Sequence, residues 1–344
     1  MLPPWAGKLV SLYQSGAANQ FILFGNVNDR FLLDPKTLGT LYEFLTRVIL
    51  PRFDVVLTYD LGNGVRIDKG GEIVQKWPAW RETADLPRQP RPAAEWLTRF
   101  FRYSANLARL GQESHHIGFI MKSTHLVAPA QPGALNYDLS ALALLMRDWA
   151  ADEHLTRHSL ATFLVTENLN DLHPLLVNHP RAAPIEVPLP TTEQLRDAIA
   201  LLAHDHGAVL SEFAPSYDSL AHQLTGTTLT SVENLLRIKS HAKEVLHAGD
   251  LVAMRKELVE KDSAGLIEFI ESKRTLDDFH AQEKLKHWLR QDIRLWQMND
   301  LQAMPMGYLL CGPVGTGKTY LVECLAGEAG VPVVKLKNFR DKWV

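Results

Sequence analysis

The sequence is poor in cysteine and has no long hydrophobic run. Its 344 residues include two cysteines, Cys311 and Cys324, which are too few for a disulfide framework and favour a reducing compartment. No apolar stretch approaches the roughly 20 residues that a membrane-spanning helix needs. The amino terminus lacks the basic and apolar regions of a signal peptide. These absences argue against a secreted scaffold and against membrane insertion, and they predict a cytoplasmic protein.

The chain also lacks a strong charge of either sign. It has 36 basic and 39 acidic residues, a formal net charge of −3. This balance gives no overall attraction to nucleic acid, so a nucleic-acid partner is not expected. Apolar residues make up 46% of the chain and charged residues 22%, which is typical of a soluble globular protein. The length is enough for two domains.

Short apolar segments alternate with helical patterns over residues 1–190. Strands are predicted at 20–24, 54–59, 116–121, 161–165 and 185–189, and helices at 38–49, 93–110 and 139–151. Such alternation is typical of βαβ units, so an α/β core with a mostly parallel sheet is predicted. The Gly- and Pro-rich stretch 61–92 is expected to form loops around a short hairpin.

The pattern changes after residue 190. Residues 191–248 form a purely helical pattern at 193–204, 217–224 and 231–246, and a capping box of Thr230 and Glu233 is expected to open the last helix. Residues 249–273 are highly charged and are interpreted as a connector. Residues 274–344 begin again, with a helix at 281–296, a strand at 306–311, a loop, a helix ending near 329 and a strand at 332–336.

The loop in this last region matches the phosphate-binding pattern G-x-x-x-x-G-K-[ST]. Its residues are Gly312, Pro313, Val314, Gly315, Thr316, Gly317, Lys318 and Thr319. The glycines allow a concave turn whose N–H groups face phosphate oxygens, and the following helix adds its positive end. Lys318 supplies a charge for the β- and γ-phosphates, and the Thr319 hydroxyl is placed to ligate Mg²⁺. A chance match in a glycine-rich turn is the alternative, and the strand–loop–helix context argues against it.

Phosphate binding alone does not make an ATPase. Hydrolysis also needs an acidic residue at the end of a neighbouring strand, to hold Mg²⁺ and polarise water. Only 25 residues follow Thr319, and they contain no such acidic motif. Whether the chain is itself an enzyme is therefore left open.

The loop and its flanks resemble the AAA+ ATPases. The loop differs from the family pattern mainly by Val314, which stands where a proline is usual. The segment 275–286 resembles the stretch that brackets adenine, with Phe279 and His280 as contacts, although His280 or Ala281 replaces a usual glycine. The resemblance adds Tyr320, just after the loop, to the nucleotide-binding residues. Residues 342–344 fall where the family carries an aromatic pore loop, and ordinary packing of the aromatic side chain is the alternative.

A fainter resemblance covers the first 250 residues. Residues 162–168 resemble a sensor strand that ends in Asn168, and residues 224–236 resemble the helices of a nucleotide lid. No Gly-Lys-Thr follows the strand in residues 21–30, and Lys122 stands where an acidic residue is expected. A lysine cannot ligate Mg²⁺. The resemblance therefore implies a degenerate AAA module, inert for hydrolysis and kept for assembly or partner contact, followed by the start of an active one.

Other polar residues are assigned ordinary roles. An arginine at the family's finger position is interpreted as a surface residue, Asn168 as a strand-end cap, and both cysteines as packing residues. The basic run near the carboxyl terminus is interpreted as an exposed loop. Two histidine pairs share short spacings without a metal-binding pattern, so no metal is expected there. The arginine is Arg181, and the histidine pairs are His154 with His158 and His204 with His206.

The resemblance implies an ATP- and Mg²⁺-binding subunit of a ring-forming protein remodeller. It implies self-assembly into a hexameric ring, with hydrolysis in the complete second module, and it does not identify the protein substrate. Two alternatives remain open: a nucleic-acid-associated AAA+ ATPase, and a non-hydrolysing assembly or nucleotide-binding fragment. The predicted domains are a degenerate α/β core at 1–190, a lid at 191–248, a connector at 249–273 and the start of the second module at 274–344.

Overall fold

The apolar segments of the first half of the chain form a six-stranded sheet in the computed structural model. The strands of this half are β1 (Gln20–Gly25), β2 (Arg30–Asp34), β3 (Thr37–Thr40), β4 (Val55–Asp60), β5 (Gly64–Lys69), β6 (Ile117–Met121), β7 (Leu160–Val165) and β8 (Ala182–Val187). The sheet has the order β5-β4-β6-β7-β1-β8, and β2 pairs separately with β3. Every pair in the sheet is parallel except β4 with β5. The predicted α/β fold class is confirmed.

The structure describes residues 2–82, 85–112, 114–131, 136–156, 159–213, 216–247, 249–251, 254, 267–270, 274–280, 283–297, 305, 307–313, 315–329 and 333–336. The chain divides into two units, Met1–Leu246 and His247–Val344, which are described separately below.

Helices cover both faces of the sheet in the first unit. They are α1 (Pro4–Gln14), α2 (Leu41–Phe44), α3 (Gly71–Gln75), α4 (Pro90–Arg109), α5 (Thr124–Val127), α6 (Tyr137–Ala151), α7 (Glu153–Thr156) and α8 (Pro174–Val177). One face packs around Trp149 and Phe119, together with α4 and α6. The other packs around Phe21 and Phe163, together with α1 and α2. Because β1, β6 and β7 are covered on both sides, their residues are apolar almost without interruption, and this explains why the sequence revealed them.

The predicted helix 38–49 is wrong at its start. Residues Thr37–Thr40 form β3, and the helix begins at Leu41. A capping box ends the strand there, because the Thr40 N–H donates to Glu43 at 2.8 Å and the Glu43 N–H donates to the Thr40 hydroxyl at 3.2 Å. Residues Leu45–Ile49 continue as one π-helical turn.

Two further boundaries differ from expectation. The last strand of the sheet is Ala182–Val187 rather than 185–189, because its pairing with β1 runs from Ala182 opposite Gln20 to Val187 opposite Gly25. The hairpin expected within 61–92 is formed by β4 and β5, so it begins inside a predicted strand. Four short 3₁₀ turns complete the description, at Pro78–Glu82, Leu169–Asp171, Ser211–Phe213 and Leu276–Asp278.

Three helices follow the sheet and are called the lid here: α9 (Thr192–His206), α10 (Asp218–Gln223) and α11 (Leu229–Ala242). The predicted capping box of Thr230 and Glu233 is wrong, because α11 begins earlier. Its cap is Thr228, whose hydroxyl accepts from the Ser231 N–H at 3.2 Å. The helix also ends before residue 246, since Lys243 adopts a left-handed conformation with φ 58°.

The described part of the second unit contains α12 (Glu283–Gln297), α13 (Lys318–Ala329), and the strands β9 (Ile267–Ile270) and β10 (Val333–Leu336). β9 lies within the stretch interpreted as a connector and pairs with β10 in antiparallel fashion. The strand expected at 306–311 is not formed by its described residues 307–311, since no described strand pairs with them.

The two cysteines differ in environment. Cys324 is fully buried beside Leu289 and Leu321, as a packing residue should be. The same expectation is wrong for Cys311, which is exposed, because no paired strand covers the segment that carries it.

Candidate functional site

The loop before α13 is shaped by glycines in conformations that other residues avoid. Gly312, Gly315 and Gly317 have φ values of 148°, 87° and 80°. A side chain at any of these positions would strain the backbone, even where space is available around it. The sequence therefore folds into a turn that keeps its backbone open on one side. Val314, predicted to belong to the same loop, lies outside the described residues.

The ammonium group of Lys318 lies against this loop. It donates to the carbonyl of Gly312 at 2.9 Å, to that of Pro313 at 2.5 Å and to the hydroxyl of Thr316 at 3.4 Å. The Thr316 hydroxyl itself donates to the Pro313 carbonyl at 2.9 Å. The positive charge thus stays within the turn, where it can pair with an anion bound over the loop.

The amino-terminal end of α13 lies at the same place. The helix begins at Lys318, so the N–H groups of its first turn have no partner within the helix. These groups and the helix dipole favour an anion. Thr319 lies in this first turn and is exposed, so its hydroxyl is available to a metal ion held by a bound phosphate. The loop, the lysine and the helix end together suit a phosphate group.

The segment 274–280, which contains the start of the stretch 275–286 predicted to bracket adenine, lies beside the loop. The Phe279 ring is 3.6 Å from where a Cβ on Gly317 would stand, and its centroid is 6.2 Å from that of Tyr320. The Tyr320 hydroxyl donates to the Asp278 carbonyl at 3.4 Å. The structure thus brings Phe279 and Tyr320 together at the phosphate loop. His280 is exposed at the end of the same segment, and its contact with nucleotide stays a prediction.

Ionic contacts fasten this segment to α13, and sequence reasoning missed them. Glu328 accepts from the Leu276 N–H at 2.8 Å and from the Arg290 guanidinium at 2.6 Å. Arg290 also reaches Asp277 at 2.7 Å. The bond from Arg290, helped by that from the Leu276 N–H, lowers the pKa of Glu328 below its ordinary value. No known motif marks this spacing.

A second contact fastens the start of the segment. Arg274 donates to Glu323 at 2.6 Å, and its guanidinium lies 4.6 Å from the centroid of the Tyr320 ring. Tyr320 therefore contacts both a cation and the Phe279 ring. The aromatic pair beside the loop is positioned by charges that do not themselves belong to the loop.

The first unit has a different chemistry at the carboxyl ends of its strands. Lys122 follows β6, as predicted, and its ammonium lies 4.1 Å from the centroid of the Tyr42 ring. Burial and the nearby Arg66 lower the pKa of Lys122. A cleft of about 260 Å³ opens beside this lysine, between β1, β6 and β7. A lysine in the place of a carboxylate suits neither Mg²⁺ nor hydrolysis.

Two other predicted residues have surface positions. Asn168 is exposed after β7, and its carbonyl accepts from the Thr166 hydroxyl at 3.1 Å. Arg181 is exposed at the start of the β8 region. Neither belongs to the loop of the second unit. A residue that sequence reasoning missed, Asp29, lies in the turn after β1 and contacts the lid.

The described residues hold no group of three metal-ligating side chains, and none of the helices described is both long and apolar enough to cross a bilayer.

Comparisons with known proteins match both units. Residues 1–188 match the family model of the AAA+ chaperone, N-terminal Rossmann-like domain. Residues 308–343 match the model of the ATPase family associated with various cellular activities. The first match covers more than half of the chain and the second contains the phosphate loop.

Several relatives are similar to a part of this chain. A probable inactive ATP-dependent zinc metalloprotease, FTSHI 4, chloroplastic, from Arabidopsis thaliana is 45% identical over 64 residues, covering 17% of this chain and 7% of the relative. The ATP-dependent zinc metalloprotease FtsH 1 of Salinibacter ruber is 37% identical over 92 residues, covering 24% of this chain and 13% of the relative. FtsH of Methylococcus capsulatus is 38% identical over 95 residues, covering 26% and 14%. The chain thus matches only a small part of the length of these relatives.

Proposed function

This chain belongs to the AAA+ chaperone family, and on that basis we propose that it is an ATP-binding subunit of a ring-forming protein remodeller. The family implies nucleotide binding with a metal ion. In our proposal the nucleotide is ATP with Mg²⁺, bound at the loop 312–319. Hydrolysis by the complete second module, of which 274–344 is the beginning, would drive conformational work on protein partners.

The observation that carries this proposal is the convergence of three phosphate-binding features. The glycine turn, the Lys318 ammonium and the start of α13 lie at one place. Lys318 would leave its carbonyl partners for the β- and γ-phosphates, and Thr319 would hold the metal ion. Phe279 and Tyr320 offer an aromatic surface beside the loop for the base, with His280 following.

The first unit would serve assembly or partner contact rather than hydrolysis. Its fold is that of the family, while Lys122 stands where a metal-binding carboxylate is needed. We propose the division into a core at 1–190, a lid at 191–248, a connector at 249–273 and the start of the active module at 274–344. We further propose that copies of the complete protein assemble into a hexameric ring in the cytoplasm.

Substitution of Lys318 tests the nucleotide site. We expect Lys318→Ala to weaken binding of a non-hydrolysable ATP analogue with Mg²⁺ by at least about tenfold, because the charge that pairs with the phosphates is lost. Titration calorimetry on the full chain gives the affinity. Lys284→Ala is the control, since Lys284 is an exposed lysine of α12. Equal affinity in the Lys318→Ala chain, or no binding by the original chain, would refute the site.

Oligomerisation tests the assembly part of the proposal. Light scattering with and without the ATP analogue should show an increase in mass for the complete protein. The increase should be lost in Lys318→Ala and kept in Lys284→Ala. A constant mass under all conditions would contradict ring formation while leaving nucleotide binding to be judged by calorimetry.

A further inference from the structure

The carboxylate of Asp29 joins the sheet of the first unit to its lid. Asp29 follows β1 and is only 4% exposed. Its oxygens accept from the Leu229 N–H at 2.9 Å, and from the N–H and the hydroxyl of Thr230, each at 2.8 Å. The Asn26 side chain donates to it as well, at 2.9 Å. One buried carboxylate thus satisfies donors from two segments that are about 200 residues apart in the chain.

The N–H groups that Asp29 binds belong to the first turn of α11. Leu229 and Thr230 are the first two residues of that helix, whose N–H groups have no partner within the helix. The positive end of the helix dipole lies at the same point, so a negative charge is favoured there. Asp29 therefore occupies the place at a helix start that a bound anion takes in other proteins.

The neighbouring residue makes a second connection of opposite charge. Arg30 pairs with Glu233 at 3.3 Å, and Glu233, only 8% exposed, also binds Arg237 at 2.5 Å. Asp29 at the end of the turn and Arg30 at the start of β2 thus present a negative and then a positive charge, and each meets its complement on α11. Because the Asp29 carboxylate is nearly buried, breaking its contacts with α11 would take three hydrogen bonds from a charge that lies away from water. Glu233 would keep its pairing with Arg237 if the Arg30 contact broke.

We propose that Asp29 acts as a built-in anion that holds the lid closed on the sheet, so that the lid of the first unit needs no nucleotide. The turn that carries Asp29 lies at the carboxyl ends of the parallel strands, where α/β sheets bind their ligands. A protein side chain there supplies the charge that a phosphate would otherwise bring to the lid. The lid position is then fixed by the sequence and does not respond to ATP. This inference concerns the first unit and does not rest on the function proposed for the second.

Hydrogen exchange on the full chain tests the role of Asp29. We expect Asp29→Asn to speed exchange of the amides in 229–242 by at least about tenfold, because the variant loses the charge and one acceptor at the helix start. Asp34→Asn is the control, because this exposed carboxylate lies in the hairpin of β2 and β3 and accepts from the Lys36 N–H at 2.7 Å. Unchanged exchange in α11 of the Asp29→Asn chain would overturn the proposal.

A second measurement needs no substitution in the first unit, so it still decides if Asp29→Asn fails to fold. The Lys318→Ala chain is used because its second unit is expected to bind nucleotide at least about tenfold more weakly, which reduces any response of the lid that comes from the second unit. We expect the exchange of 192–242 to be the same without nucleotide and with millimolar ATP and Mg²⁺. Slower exchange of these residues with ATP would show a nucleotide-responsive lid and would overturn the proposal. A failure of nucleotide binding at Lys318 in the original chain would leave this result unaffected.

Discussion

In the second unit, single residues that are not part of the phosphate loop hold the segment beside it in place. Glu328 lies three turns along α13 from Lys318, yet it fixes the segment that carries Phe279 through the Leu276 N–H. Its other partner, Arg290, also reaches Asp277. One carboxylate therefore ties α12, α13 and the segment 274–280 to each other. The phosphate loop could be predicted from the sequence because its glycines and lysine have a fixed spacing. Supporting residues such as Glu328 and Arg290 have no fixed spacing, so the sequence did not reveal them.

The stability that Glu328 contributes should depend on pH. Its pKa is lowered in the folded state by the hydrogen bond from Arg290, so the unfolded chain binds protons more readily in acid. The contribution is therefore complete above the ordinary glutamate pKa of about 4.3 and is lost as the pH falls through the lowered folded-state pKa. As the pH is lowered from about 5 to about 3, we expect the free energy of unfolding of the second unit to fall less in the Glu328→Gln chain than in the original chain.

Reactivity of the Cys324 thiol during urea unfolding measures this effect, since Cys324 is buried among apolar residues of the segment 274–280, α12 and α13. A Cys311→Ser background leaves one thiol to follow, and a disulfide reagent that reacts in acid labels it. Glu283→Gln serves as the control, because the Glu283 side chain is 82% exposed. A pH dependence in Glu328→Gln that matches the original chain would show that Glu328 is not its source.

At the scale of elements, most strands were predictable and some helix ends were not. The residues of β1 and β6 are buried on both faces of a parallel sheet, so they form unbroken apolar segments that any hydrophobicity pattern reveals. The start of α11 was misplaced because Thr230 and Glu233 have the spacing of a capping box. Their actual partners, Asp29 and Arg30, lie about 200 residues away and could not be read from local sequence.

The start of α9 offers a test of capping in the lid. The Thr191 hydroxyl accepts from the Gln194 N–H at 3.3 Å, and the Gln194 side chain accepts from the Thr191 N–H at 2.9 Å. We expect Thr191→Ala to destabilise the first unit by about 1 kcal/mol, because the Gln194 N–H at the helix start loses its partner. Urea unfolding followed by far-ultraviolet circular dichroism gives the value. Thr191→Ser keeps the hydroxyl, so a serine variant as unstable as the alanine variant would contradict this role.

At the scale of the whole molecule, the two units differ in how their cores are built. The sheet of the first unit is covered on both faces, around Trp149 on one side and Phe21 on the other. In the described part of the second unit, the core lies between the segment 274–280, α12 and α13. In its two-stranded ladder, the strand β10 is open to solvent, with Val334 45% and Leu336 59% exposed. Such a ladder has little buried apolar area to hold it together.

This difference predicts unequal protection from hydrogen exchange. Amides of β1, β6 and β7 should exchange at the rate of global unfolding, while those of α13 and β10 should exchange faster through local opening. Nucleotide should reduce the difference in exchange protection between the two units. A ligand at 100 times its dissociation constant stabilises the bound form by about 2.7 kcal/mol. The added protection should appear in α13, because its first turn would hold the phosphates. It should be absent from the Lys318→Ala chain. Equal protection of both units without nucleotide would mean that the second unit is stabilised by interactions beyond the described core.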